Sequence, residues 1–207
     1  MSVKIGLISD MHATPGPLKE ALSIFREEGV DRILCAGDVA GYGTELDQTV
    51  KLLIESNCTT ILGNHDAWFL DNPAVEHKKR VDQFFNGLSS TWESTIEGKH
   101  VYVVHASPPQ SLTQGIILLD QYENIMLNEK ERWAGQIKEY AFDVLVVGHT
   151  HQVFAEKLGK TLIINPGSTK FNHTCAVLSL PEMETRIFPL SGKAPLKVWN
   201  WGMMTRA

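Results

Sequence analysis

Three apolar runs separated by helix-sized intervals decide most of what this chain can fold into: Val3-Lys4-Ile5-Gly6-Leu7-Ile8-Ser9, Arg32-Ile33-Leu34-Cys35-Ala36 and Thr59-Thr60-Ile61-Leu62. Each has the length of a strand, and the first is too evenly apolar for a sheet with one wet face, so both faces need cover. Between the first two runs, Pro15 and Pro17 lead into a helix from about Leu18 to Glu28. Leu18, Ala21, Leu22 and Phe25 keep helical spacing there, and Gly29 stops it. Between the second and third, the Gly41-Tyr42-Gly43 turn precedes a helix near Thr44 to Glu55. Strands alternating with helices at this spacing predict parallel βαβ units.

Further along, helical spacing runs from Asn72-Pro73 toward Leu88, and Thr91 to Ile96 with His100 to Val104 reads as a hairpin around Glu97-Gly98-Lys99. Gln110 to Gly115 reads as loop, Asp120 to Tyr140 as helix with a break near Gly135, and Asp143 to Val147 as a strand. Short antiparallel strands are predicted near Gln152 to Lys157, Thr161 to Asn165, Thr174 to Leu180 and Glu184 to Pro189. This pattern predicts an α/β fold, with two sheets face to face and helices outside. At 207 residues, one domain over 1–207 is expected. Ser191 to Ala207 has no clear pattern; Trp199, Trp201, Met203 and Met204 are expected to pack, or to make an oligomer contact if exposed.

A net charge of −5 argues against a basic footprint for duplex nucleic acid, though not against anionic substrates, since bound divalent ions would reverse the local field. Cys35, Cys58 and Cys175 lie far apart in apolar runs and read as buried thiols in a reducing compartment. Met1 to Ile8 is too short for a signal peptide before Asp10, and no apolar stretch is long enough to span a membrane. A cytoplasmic location is therefore expected.

Five of the predicted strands end in residues that bind metals: Asp10, Asp38, Asn64, His105 and His149. His12 and His151 follow two residues after the first and the last of these. The carboxyl ends of strands in α/β sheets line the ligand crevice, so residues spread over most of the chain can converge there. In Gly148-His149-Thr150-His151, a loop at a strand end lets both imidazoles face one cleft. Two carboxylates, one amide and four imidazoles suit borderline divalent ions rather than calcium. Seven groups exceed one tetrahedral site and fit two ions that share a carboxylate.

Asp10-x-His12, Gly37-Asp38, Gly63-Asn64-His65-Asp66, His105 and Gly148-His149-x-His151, in this order, resemble the calcineurin-like metallophosphoesterases. The likeness is greatest to their small single-domain bacterial and archaeal phosphodiesterases, whose pattern Asn165-Pro166-Gly167-Ser168 also resembles. The resemblance implies a four-layer α-β-β-α sandwich of two mixed β-sheets and a dinuclear site. Asp10, His12 and His151 would hold one ion, Asn64, His105 and His149 the other, and Asp38 would bridge. Manganese is the foremost candidate, with iron, zinc, nickel, cobalt or magnesium as alternatives. Two ions about 3.5–4 Å apart would share a hydroxide placed in line with the phosphorus of a small phosphodiester or phosphorylated metabolite. His65 would protonate or stabilise the leaving oxygen, and Asp66 would orient His65 or cap the following helix.

Two departures narrow the resemblance. Ala13-Thr14 stands where many small relatives have Gly-Asn, and the Gly41-Tyr42-Gly43 turn replaces an arginine that follows Gly-Asp in protein phosphatases and dinucleotide polyphosphatases. A protein or nucleotide phosphatase is disfavoured accordingly, while Tyr42 is expected to line the pocket or pack in its turn. A non-catalytic scaffold on the same fold is the alternative from another class; a retromer subunit of this kind lacks the histidine present here as His65. His77, His100 and His173 are assigned to solvated or structural roles, Lys78-Lys79-Arg80 to a solvated face, and Trp68, Trp92 and Trp133 to core or lid packing. A homo-oligomer is left open.

Overall fold

The first two apolar runs form β1 (Val3–Ile8) and β2 (Arg32–Cys35), with α1 (Pro15–Glu27) between them, in a computed structural model that describes residues 2–72 and 78–199. After them come α2 (Leu46–Glu55), β3 (Thr59–Thr60), α3 (Asn64–Leu70), α4 (Lys79–Asn86), β4 (Thr91–Ile96) and β5 (Lys99–Val104). The chain continues through α5 (Leu127–Ile137), β6 (Val144–Val146), β7 (Val153–Leu158), β8 (Thr161–Pro166), β9 (Thr174–Leu180) and β10 (Glu184–Pro189).

Both sheets are mixed. One has the order β10-β9-β1-β2-β3, parallel across β1-β2-β3 and antiparallel across β10-β9-β1. The other has the order β4-β5-β6-β8-β7, parallel across β5-β6-β8, with antiparallel outer pairs. The apolar runs divide between layers by alternation. Ile5 and Leu7 face the core between the sheets while Ile8 faces the helices; Val144 and Val146 face the same inter-sheet core while Leu145 and Val147 point toward Trp133 and Ile137 of α5. Three buried apolar layers of this kind make the four-layer α-β-β-α sandwich that the sequence predicts. Among the described residues no helix is long and apolar enough to cross a membrane.

Local differences from the predicted elements have local causes. The first helix begins at Pro15 rather than Leu18, because proline lacks only an N–H that the first turn leaves unpaired. Of the helix predicted from Asn72 toward Leu88 the described part is α4, with residues 73–77, and so His77, outside the described residues; α3 lies ahead of that stretch and begins at the Asn64-His65-Asp66 motif. The helix predicted from Asp120 to Tyr140 shrinks to α5. Asp120 Oδ1 accepts the N–H groups of Tyr122 and Asn124 at 2.8 and 2.9 Å, a turn that competes with helical bonding. The described part of the tail is tied to the second sheet and the site: Val153 N donates to Lys197 O at 2.8 Å and Trp199 N to His151 O at 3.1 Å. Trp201, Met203 and Met204 lie outside the described residues.

Candidate metal centre

All seven predicted ligands arrive at the carboxyl ends of the parallel strands, Asp10, His12, Asp38 and Asn64 after β1, β2 and β3, and His105, His149 and His151 after β5 and β6. The turns that carry them are strained. Asp10, His12, Asp38, His149 and His151 have φ of 52°, 44°, 56°, 64° and 47°, a region costly for any residue with a Cβ. Strain gathered on five of seven candidate ligands is of the kind that functional sites concentrate.

Two glycines let these turns meet. A Cβ on Gly63 would lie 2.1 Å from Asp38 Oδ1, and one on Gly148 would lie 2.1 Å from Ser9 Oγ and 2.7 Å from Asp10 Oδ2. Gly148→Ala is therefore expected to cost about 1–3 kcal/mol by overpacking. It should also weaken manganese binding, because Asp10 must move; thermal unfolding and metal titration read the two effects separately, and a variant as stable as the parent would contradict the tight fit.

The polar atoms converge on two adjoining points. His12 Nδ1 donates to Ala40 O at 3.0 Å, which turns Nε2 inward, 3.3 Å from His151 Nε2; that atom in turn lies 3.1 Å from Asp10 Oδ1. His105 Nδ1 donates to Ala36 O at 2.6 Å, which turns its Nε2 toward Asn64 Oδ1 at 3.0 Å and Asp38 Oδ1 at 3.4 Å. His149 Nδ1 lies 2.8 Å from the same Asn64 oxygen. Ligand atoms within 4.8 Å of one another occur in Asp10–His12–His151, in Asp10–Asp38–His105 and in His12–Asp38–His65. Asp38 thus faces both clusters.

This donor set fits divalent cations. Lone pairs and carboxylate oxygens facing each other need protons or a cation between them, and ring N–H groups anchored on backbone carbonyls are the usual support of metal-binding imidazoles. Charges within the cluster offset one another. Burial would raise the Asp10 carboxyl, but His151, His105 and His12 hold it well below the carboxylate range. Burial likewise acts to raise Asp38, and His105 holds it low. Burial acts to lower His105, yet Asp38 and Asp10 lift it to about 9, while burial takes His12 down to about 4.

Asp66 was expected to orient His65 or to cap the helix, and its described bonds belong to the second role. Its carboxylate is fully buried and accepts the N–H groups of Asp38 at 2.8 Å, Ala40 at 2.7 Å and Gly63 at 2.9 Å, none of them from His65. It is a positioning residue that ties the Asp38 turn to the start of α3.

Sequence reading missed the supports on the far side of the site. Ser168 Oγ donates to Asp10 O at 2.5 Å, Asn165 Nδ2 to Gly148 O at 2.9 Å, and Asn172 Nδ2 to His151 O at 2.8 Å. The Asn165-Pro166-Gly167-Ser168 motif is visible in the sequence, but its bonds join loops too distant in sequence for spacing to reveal.

His65 stands half-buried at the mouth, its ring 4.9 Å from that of His12, 4.7 Å from Tyr42 and 4.7 Å from Trp68. Burial lowers its pKa, with Asp38 and Asp10 acting against that. Tyr42 therefore lines the cleft as well as its own turn. A cavity of about 240 Å³ lies over Asp38, Asn64, His65, His149 and His151. A second, of about 450 Å³, starts from His149 and continues past Gly115, Ile117, Gln152 and Trp199.

The other polar residues keep structural roles. His100 bonds Glu93 and the Ala141 carbonyl, His173 Nε2 lies 3.3 Å from Lys193 Nζ, and Lys78 and Arg80 pair with Asp47. The cysteines are unpaired, with Cys35 and Cys175 fully buried. Trp133 is buried, whereas Trp68 is 56% exposed beside His65.

Known proteins resemble this chain in sequence and fold. An uncharacterized protein of Methanocaldococcus jannaschii is 26% identical over 179 residues, 79% of this chain and 68% of that one. A phosphodiesterase of the same organism is 22% identical over 174 residues, 80% of this chain and 83% of its own. The solved structure of a metallophosphoesterase from Sphaerobacter thermophilus has the same fold, with a TM-score of 0.70 at 20% identity over 92% of this chain and 89% of that one. The family description of the calcineurin-like phosphoesterase superfamily domain matches residues 3–182, and the chain belongs to that superfamily.

Proposed function

We propose that the protein hydrolyses small phosphodiesters with two divalent metal ions, manganese foremost. The observation that carries this reading is the convergence of seven ligand-type residues beneath a histidine at the cleft mouth. In this reading Asp10, His12 and His151 hold one ion, Asn64, His105 and His149 the other, and Asp38 lies between. When bound, such ions supply an activated water and neutralise charge on the phosphoryl oxygens. The chain's own residues do the rest. Ala40 O and Ala36 O fix the ring orientation of His12 and His105, and Asp66 keeps the Asp38 turn in register with Asn64. His65 holds the proton that the leaving oxygen needs. Cavities on both sides of His149 leave room for two substituents on phosphorus, which favours a diester over a monoester.

The test compares an aryl phosphodiester with the matching monoester on metal-stripped protein and after refilling with manganese. Metal-dependent turnover, faster on the diester, is expected. Failure to hydrolyse either ester with two ions bound would favour a scaffold role. Refilling should also stabilise the fold by about 2.7 kcal/mol for each ion bound when free manganese is a hundred times that site's dissociation constant. A melting temperature indifferent to chelation would count against a metal centre at these residues.

A further inference from the structure

The turn Gly41-Tyr42-Gly43 brings no cation to the cleft, yet one stands over it from another loop. Lys170 Nζ lies 5.8 Å from the centre of the Tyr42 ring and 5.2 Å from that of Phe171, two cation–π contacts. Those rings are part of the site's wall. Tyr42 lies 4.8 Å from the His12 ring and 4.7 Å from the His65 ring, while Phe171 stacks on His151 at 5.2 Å and 24°.

Three features distinguish Lys170 from a solvated surface lysine. Its ammonium rests on two aromatic rings and forms no salt bridge with any described residue. It is partly buried, and burial lowers its ammonium pKa with no carboxylate acting against that. Its loop is also tied to the metal-ligand turns, because Ser168 Oγ donates to Asp10 O and accepts the Phe171 N–H at 3.0 Å. A partly dehydrated cation on a fixed loop, with no anion beside it, is ready for one from outside.

We propose that Lys170 binds a second anionic group of the substrate, carried beyond the phosphoryl that occupies the metal centre. The two rings that Lys170 rests on also touch the imidazoles of His12, His65 and His151, so an anion on Lys170 would adjoin the ligand layer. The substrate is then a phosphoester with a further phosphate or carboxylate on the Tyr42 side. The inference rests on the phosphoesterase reading for the phosphoryl position, and Lys170 takes over the charge that the Gly41-Tyr42-Gly43 turn lacks.

The experiment measures binding, by calorimetry on manganese-loaded protein, of thymidine 5′-phosphate and of thymidine 3′,5′-bisphosphate to the parent, Lys170→Met and Lys170→Arg. Methionine keeps an aliphatic chain on the rings, so the fold is not at risk. The parent should prefer the bisphosphate by about ten-fold, methionine should reduce that preference to about two-fold or less, and arginine should keep most of it. No preference in the parent, or an equal loss for both nucleotides in Lys170→Met, overturns the assignment. Hydrolysis of an aryl diester is followed in parallel: a Lys170-dependent preference without hydrolysis would sink the hydrolase reading and leave the anion site standing.

Discussion

Replacing His65 with alanine is expected to lower hydrolysis of an aryl phosphodiester by about 10²–10⁴-fold, the usual worth of a positioned acid or base, while bound metal stays near the parent's. The two effects separate because His65 serves the site through different atoms. Its backbone N–H donates to Asp38 Oδ1 at 2.9 Å and survives the substitution, so the Asp38 carboxylate keeps its place. The side chain, at the mouth between Tyr42 and Trp68, is what is lost. If the ring delivers a proton to the leaving oxygen, the loss should grow as the leaving group worsens, being smallest for p-nitrophenolate and largest for an alkoxide. A loss independent of leaving group would reassign His65 to holding the phosphoryl group.

What the sequence reveals here follows from how far apart the interacting residues lie. Strands and ligands were legible because a strand's apolar run and the Asp, Asn or His closing it are neighbours in sequence, and βαβ chirality brings such ends together. Even β3, two residues long, was placed by Thr59-Thr60 beside Gly63-Asn64. The start of α3 was not, because Asn64 reads as a ligand and only the Asp66 carboxylate bonded back to the Gly63 N–H shows it to be helical as well. Nor were the walls. Phe171 stacked on His151, Trp199 stacked on Phe171 at 4.9 Å and Lys170 over Tyr42 come from a loop and a tail with no periodicity to read.

Asp66→Ala should be the most destabilising single change in the site, by more than about 3 kcal/mol, since each buried N–H left without an acceptor costs about 1–3 kcal/mol. Three are released at once, on Asp38, Ala40 and Gly63, in a place that is fully buried. Part of that cost is offset because the carboxylate itself is poorly placed as a charge; burial and the neighbouring Asp38 push it up to about 7. Asp66→Asn sharpens the test. Its amide oxygen can take over the Asp38 and Gly63 N–H groups, which share Oδ2, but its NH₂ then faces the Ala40 N–H. An intermediate loss of stability is expected, together with weaker manganese binding, because the Asp38 turn and the Ala40 carbonyl that orients His12 shift together. Were Asp66 instead the partner that orients His65, asparagine would depress turnover while leaving the melting temperature and metal affinity where they were. Denaturant unfolding beside a metal titration decides between the two.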